Sequence, residues 1–227
     1  MHLKAAVAAL SLSLVCMFSR VSFADSLTLT GVGGQNTDGV YVYPYLFTVT
    51  GPGGTNTLLD MSCLNFNRDV SIGQSWNATP VDVSSISANA SIDGETGAEI
   101  LADAYLYNQY AGAAGNAQQT SDLQFAIWSI MDPSGVSGES GFDANAQALA
   151  STALSTTPTL PPSDFANDIV FIPSGSYPNG GEPQIFMTDP PPSAVTPEPA
   201  SLVLLGTGLL GAFALLRRRQ GKAVLQS

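Results

Sequence analysis

Cys63 is the first residue to consider for chemistry, because it is the only cysteine beyond the N-terminal apolar segment. A lone cysteine cannot form an internal disulfide. Three interpretations of it remain open: a buried and inert thiol, half of an intermolecular bridge, or a reactive group. It lies in residues 60–66, DMSCLNF, at the end of a segment that predicts a strand.

Gln124 is the second candidate, in the apolar surroundings of residues 120–131, TSDLQFAIWSIM. This segment predicts a helix that ends at Asp132 and Pro133, because the residue before a proline avoids helical geometry. Ser121 and Gln124 also match the S-x-x-Q capping box, in which the glutamine bonds back to the serine backbone. A capping role and a chemical role for Gln124 are therefore both open.

Charge and composition exclude several classes of function. Residues 25–198 hold all 18 acidic residues of the chain, with Arg68 as their single basic residue and without lysine or histidine. This acidity argues against nucleic acid as a partner. The lack of histidine excludes histidine triads and histidine metal sites. We expect neither a cofactor nor a metal. Calcium binding stays open, although the sequence contains no D-x-D-x-D-G loop.

A secreted hydrolase would need paired carboxylates. Glu95, Glu99 and Asp103 lie at helical spacing and are the candidates for such a pair. Nothing distinguishes them from an exposed acidic turn at the start of a helix, where acids suit the helix dipole. We therefore expect that the protein is not an enzyme.

The N-terminus has the features of a secretory signal. Residues 1–24 begin with the polar His2 and Lys4, continue through an apolar core and end with small residues around Ala24. This order predicts a signal peptide cleaved after Ala24. An uncleaved anchor helix is the alternative.

The C-terminus carries a second targeting pattern. Residues 190–199 form a Pro-rich linker that includes Pro197, Glu198 and Pro199. Residues 200–216 lack charge and predict a transmembrane helix. The basic tail, residues 217–227, places its charges on the cytoplasmic side and begins with three arginines, which predict the membrane stop: Arg217, Arg218 and Arg219.

This order of motif, apolar span and arginines resembles the PEP-CTERM sorting signal of Gram-negative bacteria. The resemblance implies an exosortase that cuts near the Pro-Glu-Pro tripeptide at residues 197–199. It implies an inner-membrane anchor before processing and a place at the cell surface or in the matrix afterwards. Proteins of this kind are associated with exopolysaccharide and biofilm.

The ectodomain, residues 25–189, has strand patterns first, helical patterns in the middle and strand patterns again at its end. Helices are expected at residues 95–111, 120–131 and 143–154, and returning strands at 168–172 and 184–188. This order predicts an α+β fold, a β-sandwich or barrel-like sheet with an inserted helical layer. With the two targeting segments, an N-terminal signal helix and a C-terminal transmembrane helix flank it.

The motifs around Cys63 and Gln124 resemble the thioester (TQXA) domains of bacterial surface adhesins. The glutamine motif is complete in LQFAIW, whereas the cysteine motif matches only in Cys63-Leu64, since Ser62 stands where the family prefers a large residue. The resemblance implies a thioester between the Cys63 thiol and the Gln124 carboxamide. Its apolar pocket would be formed by five neighbouring side chains: Leu64, Phe66, Phe125, Ile127 and Trp128.

The sequence thus predicts an exported, exosortase-processed surface protein with an adhesin-like domain. Its partner would be a surface polysaccharide or an amine-bearing surface protein, held covalently through Gln124. The alternative is a passive acidic structural protein of the exopolysaccharide or biofilm matrix, without a thioester.

Overall fold

The computed structural model describes residues 24–33, 36–37, 39–177 and 181–189. Residues 1–23 of the predicted signal peptide lie outside the described part, and so do the linker, the predicted transmembrane helix and the basic tail from residue 190 onward. Within the described ranges, no helix combines the length and the apolar character needed to cross a membrane.

Alternating burial explains why the first and last parts of the ectodomain form strands. In Tyr45–Thr50, for example, every second side chain is buried and those between are half-buried, as in a strand with one face on a core. The strands of the described residues, numbered in chain order, are β1 Asp25–Val32, β2 Asn36–Thr37, β3 Val40–Tyr41, β4 Tyr45–Thr50, β5 Asn56–Cys63, β6 Ser75–Asp82, β7 Ser91–Ile92, β8 Glu95–Thr96, β9 Ile169–Pro173 and β10 Phe186–Thr188.

Six strands close into an antiparallel barrel in the order β1, β4, β5, β10, β9, β6, and β6 pairs back with β1. Closure pairs the edges of the sheet, which an open sheet would leave exposed. The glycine-rich loop at residues 51–54 joins β4 to β5, and the Gly51 N–H donates to the Thr55 carbonyl at 3.1 Å. The pairs β2–β3 and β7–β8 form two small separate ribbons.

Aromatic side chains fill the barrel interior. The ring of Phe47 lies 4.6 Å from that of Phe186 and 5.7 Å from that of Trp76, both in edge contacts. Tyr45 meets Phe186 at 5.6 Å. Each such ring removes a large apolar area from water, so these contacts make the barrel a packed core rather than a channel.

The α-helices of the described residues are inserted in the chain between β8 and β9. They are α1 Gly97–Tyr107, α2 Ala117–Met131, α3 Pro133–Val136 and α4 Ala144–Thr156. The predicted α+β organisation is confirmed in its coarse form: a six-stranded antiparallel barrel with an inserted layer of helices.

The predicted helix at residues 95–111 is wrong at both ends. Glu95–Thr96 is the short strand β8, and helix α1 begins only at Gly97. The reason is a capping box: the Thr96 hydroxyl accepts from the Glu99 N–H, while the Glu99 carboxylate accepts from the Thr96 N–H. The helix ends at Tyr107, and turns continue the chain beyond it.

The capping hypothesis for Gln124 is wrong as well. Helix α2 begins at Ala117, and the Asn116 side chain caps it by accepting from the Gln119 N–H at 3.2 Å. Ser121 therefore lies inside the helix, where its hydroxyl donates to the Thr37 hydroxyl at 3.3 Å. Gln124 has no helix end to cap, and its side chain bonds elsewhere.

Polar contacts join the helices to the barrel strands. The Asn108 amide donates to the Asp168 carboxylate at 2.9 Å, and the Tyr107 hydroxyl accepts from the Asp189 N–H at 3.1 Å. The ring of Tyr43, which precedes β4, stacks on Tyr110 with centroids 4.0 Å apart. These contacts hold the segment after α1 in a defined place above the barrel.

Candidate functional site

Cys63 and Gln124 meet where helix α2 crosses the end of strand β5. Cys63 is the last residue of β5, Gln124 lies in the middle of α2, and neither is exposed at all. The Gln124 amide nitrogen donates to the main-chain carbonyl of Cys63 at 2.7 Å. The fold therefore brings the two sequence-predicted residues together.

Two hydroxyl groups hold the carboxamide oxygen of Gln124. The Ser62 hydroxyl donates to this oxygen at 3.1 Å, and the Tyr110 hydroxyl donates to it at 3.2 Å. Ser62 comes from β5 and Tyr110 from the turns that follow α1. Both are buried, so both ends of the Gln124 amide are satisfied inside the protein, as a buried polar group requires.

The sulfur of Cys63 has different partners. In the sheet Cys63 pairs with Phe186, and its thiol lies next to the Trp128 and Gln184 side chains. The Cys63 thiol donates to the Asn65 carbonyl at 3.2 Å. Among the described residues, no hydrogen bond joins this sulfur to Gln124 itself.

Burial decides the protonation state of Cys63. Desolvation raises the pKa of this thiol to about 12, although the side chains of Trp128 and Gln184 and the Asn65 backbone oppose the shift by hydrogen bonding. The Trp128 indole N–H has no partner of ordinary hydrogen-bond geometry in the described structure, and its polar neighbour is this sulfur. At neutral pH, Cys63 is therefore a neutral thiol.

The predicted apolar pocket residues are all buried except Phe66. Leu64, Phe125 and Ile127 are fully buried, and the Trp128 ring meets both Phe125 and Phe66 at 5.1 Å. Phe66 is only partly buried. Neither Cys63 nor Gln124 is exposed, so both side chains are shielded from bulk water.

Sequence reasoning missed the hydroxyl partners. Ser62 counted only as a departure from the cysteine motif, and Tyr110 only as part of a helical pattern. The available signal was position: Ser62 adjoins the cysteine, and Tyr110 ends an aromatic-rich segment. Their shared contact with Gln124 depends on three separate elements and has no local signature.

A glycine shapes the Phe125 side of the pocket. A Cβ on Gly141 would lie 2.2 Å from the Phe125 ring, which is fully buried. We expect Gly141→Ala to lower the free energy of unfolding by about 1–3 kcal/mol, the usual cost of overpacking a core. Urea unfolding measures this loss.

Gly138→Ala is the matched control, because a Cβ there would meet nothing within 4 Å. It should change the free energy of unfolding by less than about 1 kcal/mol. Equal stabilities of the two variants would show that Phe125 is not confined by Gly141.

Two cavities flank the site. One, of about 510 Å³, is lined by Tyr43, Tyr107 and Tyr110, and so reaches the hydroxyl partner of Gln124. The other, of about 300 Å³, is lined in part by Asn65, Trp128 and Gln184, the three residues that hydrogen-bond the Cys63 thiol. The Gln124 carboxamide and the Cys63 thiol thus each have a cavity next to one of their hydrogen-bond partners.

The carboxylates considered for a hydrolase differ in burial and in hydrogen-bond partners. Glu99 accepts from the Thr96 backbone and hydroxyl, and Asp103 is fully buried, with the pKa of its carboxyl raised well above 3.8 mainly by desolvation. Glu95 is half-buried in β8. In the described ranges, no group of three or more histidine, cysteine, aspartate or glutamate side chains is arranged to hold a metal ion.

Comparison with known families supports the targeting signal. Residues 195–219 match the PEP-CTERM protein-sorting motif, which confirms the sorting signal predicted from Pro197, Glu198, Pro199 and the arginines that follow. No curated protein matches the chain.

Solved structures similar to this chain are N-terminal domains of bacterial surface proteins. The thioester domain of a Clostridium perfringens surface protein has 9% identity and a TM-score of 0.43, over 73% of this chain and 98% of that domain. The thioester domain of the Streptococcus pyogenes fibronectin-binding protein SfbI has 12% identity and a TM-score of 0.37, over 76% and 95%. The N-terminal domain of the S. pyogenes pilus tip adhesin Cpa has 14% identity and a TM-score of 0.37, over 75% and 94%.

Structural neighbours of the ectodomain thus include thioester domains of bacterial adhesins, as the sequence resemblance predicts.

Proposed function

We propose that this chain is an exported surface protein whose ectodomain forms an internal thioester between Cys63 and Gln124 and attaches through it to a surface component. The observation that carries the proposal is the 2.7 Å hydrogen bond from the Gln124 amide nitrogen to the Cys63 carbonyl. It brings a thiol-bearing residue and a carboxamide together in a buried place although 61 positions separate them in the chain.

The proposed chemistry is a simple exchange at one carbonyl carbon. The sulfur of Cys63 turns from the Asn65 carbonyl and bonds to the Gln124 side-chain carbonyl carbon, the carbon–nitrogen bond breaks, and the thiol proton leaves with the nitrogen as ammonia. The thiol proton completes the ammonia, so the exchange needs no other proton source.

Opening of the thioester performs the attachment. An amine or hydroxyl on a partner attacks the same carbon, its proton passes to the leaving sulfur, and the Cys63 thiol is regenerated while the partner stays bound to Gln124. Each molecule reacts once, so the protein is not an enzyme with turnover. The domain carries no lysine that would consume the thioester from within, which supports this role.

The sorting motif supports the location. A PEP-CTERM motif at residues 195–219 fits an exosortase substrate of a Gram-negative bacterium, anchored in the inner membrane before processing and displayed at the surface or in the matrix afterwards. Candidate partners there are a surface polysaccharide or an amine-bearing surface protein. Tyr110 lines the cavity of about 510 Å³, which offers such a partner a route toward Gln124.

A second candidate function is a passive acidic structural protein of the exopolysaccharide or biofilm matrix. The observation that favours it is that the Gln124 amide and the Cys63 thiol are already satisfied by separate hydrogen bonds. Such a pair is stable as an ordinary buried core without any covalent link.

Mass spectrometry distinguishes the thioester-forming protein from the passive structural protein. We expect the purified protein to weigh one ammonia less than the sequence between its observed ends, and Cys63→Ala and Gln124→Ala each to restore the full mass of that sequence. Methylamine should add to the wild type alone, at Gln124, and should release one free thiol at Cys63.

Two results would contradict the thioester. If the wild-type protein has its full mass and a free Cys63 thiol after gentle purification, no thioester forms, and the passive structural role is the one supported. Loss of ammonia that persists in Cys63→Ala would assign the bond to another nucleophile, with Ser62 the nearest hydroxyl to test because it already contacts the Gln124 oxygen.

A further inference from the structure

Ser62 and Tyr110 place two donors on the one atom where negative charge would develop. When sulfur attacks the Gln124 carbonyl carbon, the electron pair of the carbon–oxygen double bond moves onto the side-chain oxygen. That oxygen accepts from the Ser62 hydroxyl at 3.1 Å and from the Tyr110 hydroxyl at 3.2 Å. Paired donors of this kind stabilise tetrahedral intermediates of acyl transfer.

We propose that the Ser62 and Tyr110 hydroxyls form an oxyanion hole for Gln124, and that this hole serves both the closing and the opening of the thioester. The inference rests on the proposed thioester and assigns its catalytic groups. Both steps pass through a tetrahedral carbon with the same oxygen, so the same two donors act in each direction.

The surroundings make these donors effective. Ser62 is fully buried and Tyr110 is 5% exposed, so their hydrogen bonds act in a medium of low dielectric. Burial also raises the pKa of the Tyr110 hydroxyl well above its usual value, which keeps it protonated as a donor. Bonds to a charged oxygen shorten and strengthen relative to bonds to a neutral carbonyl.

Both donors are held in place before any reaction. Ser62 lies in β5 opposite Met187 of β10, so strand pairing sets its position. The Tyr110 ring is stacked on Tyr43 and meets the Tyr107 ring edge-on at 5.8 Å. A donor that is already positioned needs no reorganisation during the reaction.

The leaving nitrogen also has a defined partner. The Cys63 carbonyl accepts from the Gln124 amide nitrogen and so orients the carboxamide with its oxygen toward the two hydroxyls. In the closing step the carbon–sulfur bond forms, the thiol proton goes to this nitrogen, and ammonia departs as the oxygen charge collapses. No external oxidant, metal or cofactor enters this balance.

Rates of opening test the assignment. The full chain is exposed to methylamine and its mass is followed with time in the wild type, Ser62→Ala, Tyr110→Phe and the double variant. Each single loss of a hydroxyl should slow methylamine addition about 100-fold. Ser62→Thr, which keeps a hydroxyl, should react at nearly the rate of the wild type.

Ser129→Ala is the matched control, because Ser129 lies on α2 with Gln124 and its hydroxyl donates to the Ala126 carbonyl rather than to Gln124. It should leave the rate unchanged. A structural role for Ser62 and Tyr110 would lower the melting temperature without a selective effect on the rate, so each rate is measured where all variants are folded.

Vibrational spectroscopy provides a readout that does not depend on kinetics. Two hydrogen bonds lower the stretching frequency of the thioester carbonyl, and Ser62→Ala or Tyr110→Phe should raise it. Wild-type frequency and rate in the double variant would overturn the oxyanion hole while leaving the thioester intact. A wild type without ammonia loss would instead overturn the proposed function, and the hole with it.

Discussion

Asp103→Asn is expected to make the protein more stable than the wild type at neutral pH but not near pH 4. Asp103 lies on α1 with no exposure, and neither carboxyl oxygen has a hydrogen-bond partner in the described structure. Desolvation, and then repulsion from Glu99, Glu95 and Asp132, raise the pKa of this carboxyl well above 3.8.

The sign of the pH dependence follows from proton binding. Above pH 3.8 the unfolded chain releases the Asp103 proton, whereas the folded protein keeps it until its raised pKa is passed. The wild type therefore loses stability as pH rises through this window, because its folded state binds more protons than its unfolded state. Asparagine cannot ionise, so its advantage grows by up to about 1.4 kcal/mol per pH unit.

Urea unfolding at a series of pH values measures this difference. Asp164→Asn, at an exposed position, is the control and should run parallel to the wild type. Parallel curves for Asp103→Asn and the wild type would show that Asp103 ionises in the folded protein as readily as in the unfolded chain.

Asp132→Ala should destabilise the fold by about 3 kcal/mol, since hydrogen bonds to a charged group are the stronger ones and their donors would be left unpaired. The Asp132 carboxylate follows α2 and accepts from the Phe66 N–H at 2.6 Å, the Asn67 N–H at 3.2 Å and the Asn67 side-chain amide at 3.1 Å. It thereby ties the loop after Cys63 to the end of the helix that carries Gln124.

Hydrogen exchange of the backbone amides shows which part of the protein loses stability in Asp132→Ala. The Phe66 and Asn67 amides should exchange faster in Asp132→Ala, and urea unfolding should show the lower stability. Asp122→Ala is the control, because Asp122 accepts one bond from Gln118 on its own helix, and it should cost about 1 kcal/mol or less. Unchanged exchange at Phe66 would show that the loop holds without Asp132.

Local patterns predicted much of the fold. The helix expected at residues 143–154 is α4, capped by Asp143, and the strands expected at residues 168–172 and 184–188 are β9 and β10 with slightly different ends. Helix starts were less accurate. Ser121 looks like a cap in sequence, but Asn116 supplies the cap of α2, because several polar residues in a row offer the same local chemistry.

Part of the candidate site was also predictable from local sequence, and part was not. The residue types at Cys63 and Gln124, and the sorting motif at residues 195–219, were apparent from short motifs, because those signals lie within a few neighbouring positions. The hydroxyls on the Gln124 oxygen were not, since Ser62 and Tyr110 approach it from 62 and 14 positions away.

Barrel closure and helix packing bring these atoms within hydrogen-bond distance. Burial then sets the protonation state of Cys63, because desolvation raises the pKa of its thiol. The residue type alone does not reveal this shift. The chain itself therefore specified which chemical groups are present, while the folded arrangement specified which of them touch and in which protonation state.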